Sequence, residues 1–256
     1  MNIKQTTSLS AAVLAASLAM GTPTMAVAQQ SAETGQANQQ ASSGTRTIMV
    51  GHNVVDAVDD VRETTADFIG ALLTAEEGRG IANWDQQEQR LNQIEKELEQ
   101  METMLDQKAE STDQEWLDWM GGPEYSVNVT DQIRTLGSHL EQVSGILEEN
   151  WNTRGIQMLV GSNVLEQLRD LRETTGDLLT ALEGAGSDYG WTTDPERMKQ
   201  SSERLAKMSR DIDQLLMLTD EGWQNYLESD RFHVVIYDNV ATLAEVLQNV
   251  TEPGQR

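Results

Sequence analysis

The sequence predicts an all-α protein of two tandem three-helix bundles, and three observations predict it. Apolar residues recur at alternating spacings of three and four along six long segments, a stretch of roughly 105 residues is followed by a second version of itself, and Cys is absent. The first pattern is that of helices with one buried seam, and the second that of an internal duplication. The third removes disulfides as a substitute for a hydrophobic core.

Taken from the amino end, residues 1–28 read as a signal peptide. Lys4 is the only charge ahead of Gln29, an apolar run extends from Leu9 to Met20, and Ala26-Val27-Ala28 fits a small-residue cleavage site. That run is shorter than the ~20 residues a membrane-spanning helix needs. Residues 29–44 (QQSAETGQANQQASSG) carry almost no apolar side chain larger than Ala and are expected to form a flexible lead.

Beyond the lead the chain repeats. Thr45-Arg46-Thr47-Ile48-Met49-Val50-Gly51 is answered from Thr153-Arg154 to Val160-Gly161, and Val61-Arg62-Glu63-Thr64-Thr65 by Leu171-Arg172-Glu173-Thr174-Thr175 at an offset of 110. Trp116-Leu117-Asp118-Trp119 matches Trp223-Gln224-Asn225-Tyr226, and 131–143 matches 238–250, both at an offset of 107. The expected units are 45–150 and 153–250. In the first, Val54, Val58, Val61, Thr65, Phe68 and Leu72 mark one helix, Leu91, Ile94, Leu98, Met101 and Leu105 a second, and Val129, Ile133, Leu136, Leu140, Val143 and Leu147 a third. The second unit repeats the stripes, from Val164 to Leu182, from Leu205 to Thr219 and from Ile236 to Val250. The spacing close to 3.5 predicts nearly aligned helices with coiled-coil-like seams. The layout resembles spectrin-like repeats in outline.

Asp85 with Glu88 reads as a capping box, Asp194-Pro195 as a cap with proline at the first helical position, and Gly121-Gly122-Pro123 as a break. Residues 125–130 (YSVNVT) and 232–237 (FHVVIY) are β-prone and compete as short strands. Helix is preferred, because the apolar stripe continues back through Val129 and Ile236.

Charge narrows the function. With 18 Lys and Arg against 42 Asp and Glu the net charge is −24, which becomes −25 once a signal carrying Lys4 is removed. Such a chain repels phosphate backbones and anionic lipid, so nucleic-acid binding and membrane insertion are not expected. Four Lys outside the signal, against 13 Arg, fit an acidic surface suited to high salt. Without Cys there is no thiol chemistry or Cys-ligated zinc, and His52, His139 and His233 lack the spacing of a metal pair. No nucleophile elbow, zinc-protease, phosphate-loop, dinucleotide or EF-hand motif occurs, so no enzyme, cofactor or dedicated metal site is expected. Diffuse binding of divalent cations is compatible with so many carboxylates.

Two features remain as candidate sites. Arg62 and Thr65, with their repeats Arg172 and Thr175, suggest a polar pocket in each bundle, in which Arg takes an anionic ligand and Thr orients it. The structural alternative pairs each Arg with a carboxylate and each Thr with its own i−4 carbonyl. Trp116 with Trp119, and Trp223 with Tyr226, form i, i+3 aromatic pairs, either plugs of the bundle ends or contact surfaces. Met101, Met104, Met198, Met208 and Met217 offer the thioethers that Cu(I) sites use, but sit largely on the seams, where Met fills gaps. The expected protein is an exported, non-enzymatic helical binding protein of the periplasm or extracellular space with a protein partner. The alternative is a carrier or sensor of a small anion using the Arg-Thr pockets.

Overall fold

The structure is a computed structural model that describes residues 32–75, 84–109, 111–150, 158–185, 194–227 and 231–251. The described residues form eight α-helices and no strand. These are α1 (Ala32–Ala75), α2 (Trp84–Ala109), α3 (Asp113–Met120), α4 (Pro123–Asn150), α5 (Met158–Ala185), α6 (Pro195–Leu216), α7 (Asp220–Leu227) and α8 (Arg231–Thr251). From Ala41 onward the described residues cluster as one compact unit. The expected signal segment lies outside the described residues.

Two details differ from expectation. The lead is helical from Ala32 onward. Ala, Glu and Gln are good helix formers, so a segment poor in apolar residues can still extend a helix that is anchored further along. Each half also holds a short fourth helix, α3 or α7. The β-prone segments 125–130 and 232–237 lie inside α4 and α8, in line with the apolar stripe that runs through them. There the buried positions Tyr125, Val129, Ile133 and Leu136 follow a helical spacing, and tertiary burial outweighs local β-propensity.

The caps explain the short helices. Thr112 accepts from the Glu115 amide while Glu115 accepts from the Thr112 amide at 2.8 Å, a complete capping box. These bonds hold the Glu115 carboxyl below its ordinary value. At the repeated place Thr219 accepts from the Gly222 amide at 3.2 Å, so the hydroxyl cap persists without its carboxylate. Asp194 accepts from the Glu196 amide at 2.9 Å ahead of Pro195, as the sequence predicts for α6. Asp85 falls just inside α2, and its side chain lies outside the described set.

Helices α4 and α8 pack extensively on each other. Arg134 donates to the Thr251 carbonyl at 3.0 Å and Ser144 to the Tyr237 carbonyl at 3.0 Å, so the two helices run antiparallel. A Cβ on Gly137 would lie 3.3 Å from the Ala244 carbonyl oxygen and 3.2 Å from Gln248 Cγ. Glycine therefore sets the closest approach. Gly137 and Ala244 are repeat-equivalent, as are Glu141 and Gln248, which hydrogen-bond at 2.9 Å. On α1 and α5 the equivalent Thr64 and Thr174 share a hydrogen bond at 2.8 Å. Positions that touch their own copies are what an approximate two-fold axis produces. The buried apolar residues of both halves form one continuous cluster.

Candidate functional site

The Arg-Glu-Thr-Thr segments sit on α1 and α5. The Thr65 and Thr175 hydroxyls are fully buried and donate to the carbonyls of Val61 and Leu171, each at 2.7 Å. Arg62 Nε donates to Asp59 at 2.6 Å, and Nη1 stands 3.7 Å from Glu102 on α2. Arg172 is placed differently. Arg169 replaces Asp59, Leu216 replaces Glu102, and the carboxylate at hand is Glu173, 3.9 Å from Nη2. Its Nε is buried with no hydrogen-bond partner among the described residues, although the side chain as a whole is 19% exposed. The structure thus gives Arg62, Thr65 and Thr175 partners on their own helices. It pairs the neighbouring Thr64 and Thr174, which periodicity alone leaves unremarked. The signal was their identical place in the repeat.

The aromatic pairs also diverge. Trp116 is buried and meets Trp119 edge-on with centroids 5.2 Å apart; Trp119 in turn meets Tyr125 at 4.7 Å, with Lys108 Nζ 4.8 Å from its ring centre. This cluster closes the first half beside α3. Trp223 is likewise buried and lies 6.2 Å from Tyr226. Tyr226, however, borders an open groove of about 840 Å³ between α6, α7 and α8. Met208, Leu215, Val234 and Val235 contribute its apolar lining, and Lys207, Asp211 and Asp238 its charge; Arg204 and Glu245, also lining it, form an ion pair between α6 and α8. The corresponding α2–α4 side carries a smaller groove of about 420 Å³ with a largely glutamine lining, from Gln86 to Gln93 and at Gln142.

A third groove, about 400 Å³, runs between α1 and α5 past Asp56, Asp60 and Asp177. Desolvation at this seam, and then the charges of Asp59, Asp56, Glu63 and Asp177, hold the Asp60 carboxyl above its ordinary value. Among the described residues no three His, Asp or Glu converge on a point where a metal ion could sit. Met101, Met198 and Met208 are core residues, whereas Met104 and Met217 are exposed.

One titratable group escaped the sequence-based expectations. His139 on α4 is 3% exposed, neither ring nitrogen has a hydrogen-bond partner among the described residues, and Nε2 lies 3.5 Å from Glu97 Oε2. Burial lowers its titration below the ordinary imidazole value, and the Glu97 charge offsets part of that shift. Position 139 lies on the buried side of the third stripe, three residues after Leu136, which is the signal that was available. The side chains of His52 and His233 are outside the described set.

No described helix is long and apolar enough to cross a membrane. No protein-family model matches the chain, no curated protein is detectably similar to it, and no solved structure matches it.

Proposed function

We propose that the chain is an exported, non-enzymatic binding protein that engages a protein partner through the groove between α6, α7 and α8. The observation that carries this reading is the open groove itself, with its apolar lining and mixed charges. Such a surface has the make-up of a non-obligate interface, and a groove between helices suits an amphipathic partner helix. Export to the periplasm or the extracellular space rests on the three-part layout of residues 1–28. A photo-crosslinker at Thr242 in the groove is expected to trap a protein of defined mass in the native compartment, and one at the repeat-equivalent Thr135 is not. Equal trapping from both positions, or none from either, rejects the groove as the binding surface.

One observation favours a second reading, a small-anion site confined to the second half. The Nε of Arg172 is buried without an acceptor, and Arg169 lies one turn away in place of a carboxylate. A thermal shift with inorganic phosphate that Arg172→Ala abolishes and Arg62→Ala leaves intact supports it. No shift, or equal loss in both variants, removes it. The acidic surface is read as a fit to high salt, where counterions screen its self-repulsion. An unchanged melting temperature between low and molar salt contradicts that.

A further inference from the structure

The contact between α2 and α4 contains an imidazole that the other half does without. His139 is 3% exposed and the repeat-equivalent Val246 is fully buried, so an apolar side chain closes the same position in α8. The ring adds a titratable group where packing does not require one. Neutral, it leaves both nitrogens without a hydrogen bond. Protonated, it becomes a buried cation with two N–H donors. Among the described residues only the Nε2 side has a carboxylate within reach, that of Glu97 at 3.5 Å. The Glu97 side chain is 41% exposed, so water screens much of the attraction. The Nδ1 donor has no acceptor among the described residues.

The surrounding charges do not change this balance. On α2, Glu97 is the group that acts on the ring, while Arg90, two turns away, donates to Gln87 at 3.1 Å. On α4 itself Glu141 accepts from Gln248 of α8, and Glu245 of α8 is held by Arg204. The acidic residues of α3, Glu115 and Asp118, belong to the other end of α4, where Trp119 meets Tyr125.

We propose that His139 is a proton-operated wedge: neutral, it fills the seam between α2 and α4, and protonated it loosens α2 from α4 while α6 stays closed on α8. The sign follows from linkage. A histidine that titrates lower in the folded chain than in the unfolded one contributes no penalty above about pH 6.5, the ordinary imidazole value. Its penalty grows as the pH falls below that and levels off beneath the depressed value. The burial that lowers the His139 titration places it in this class.

Hydrogen exchange of the full chain, corrected for the intrinsic effect of pH on exchange, tests the wedge. Between about pH 7 and pH 5 the opening constant of α2 should rise by up to about tenfold per pH unit, and that of α6 should not. His139→Val, which copies Val246, should abolish the rise. If the variant opens as steeply as the wild type, the wedge is wrong. Should His139→Val fail to fold, the imidazole resonances of the wild type decide. A His139 titration below the ordinary value supports the wedge, and one at or above that value overturns it. Glu97→Gln should lower the titration further, and an unchanged value removes Glu97 from the device.

Discussion

The two halves differ in their polar groups far more than in their packing. Leu140 and Leu247, Val143 and Val250, or Ile94 and Met208 occupy the same seams, and the short α3 and α7 keep a Thr cap. Yet Arg62 has two carboxylates, Asp59 and Glu102, where Arg172 has Glu173 at 3.9 Å. His139 stands where Val246 does, and Trp119 is boxed in by Tyr125 and Lys108 where Tyr226 borders a groove. The difference teaches that a shared core constrains the apolar positions of both copies together, because a void in either is felt by the whole. Surface and seam polar groups are free of that constraint and differ between the halves.

The comparison breaks most visibly if the core is not shared. Leu140→Ala and Leu247→Ala should each cost about 2–5 kcal/mol and leave a single unfolding transition in denaturant. Two separated transitions would mean that the halves fold independently. Arg62→Met and Arg172→Met sharpen the polar contrast. The first should destabilise by about 1–2 kcal/mol, since the loss of charge-assisted bonds is tempered by the exposure of Asp59 and Glu102. The second should fall within about 0.5 kcal/mol of the wild type, because the buried Nε has nothing to lose. Equal costs would sink the asymmetry.

Smaller effects probe the axis between the halves. Thr64→Val or Thr174→Val alone should cost about 0.5–1.5 kcal/mol, and the double variant less than the sum, as a double-mutant cycle on a shared hydrogen bond requires. At the same seam Asp60→Asn should raise the melting temperature at neutral pH. The Asp60 carboxyl titrates higher in the folded chain than in the unfolded one, so its charged form burdens the fold above that value, and acidification relieves the burden. The advantage of Asp60→Asn should vanish near about pH 3 and shrink at molar salt. His139 and Asp60 therefore answer acidification with opposite signs, one in the first half alone and one at the seam between the halves.

Much of the fold was legible beforehand. The stripes at Val54–Leu72, Leu91–Leu105 and Val129–Leu147, with their repeats, mark core faces, except that the repeat from Leu205 stops short of Thr219, which lies exposed beyond α6 and caps α7, and the Asp194-Pro195 start is where α6 begins. Thr112 and Glu115 carried the spacing of a capping box as well, yet α3 was not foreseen, because eight residues are too short for periodicity to register. The candidate sites were less legible. Arg62 and Arg172 look identical in their segments, and their difference lies in residues supplied by other helices or by the preceding turn. Tyr226 and Trp119 look alike for the same reason.

The sequence by itself determined the all-helical class and the acidic character, because helical periodicity and charge are local or additive properties that can be read along the chain without knowing its path. Only the tertiary structure decided that α4 lies antiparallel on α8 with Gly137 at the closest approach, that Thr64 meets Thr174, and that His139 is sealed beside Glu97. Those are contacts between residues 42 to 117 positions apart, and what a side chain can do there depends on how much water is excluded and which partner is within reach. Neither is written in the residue itself.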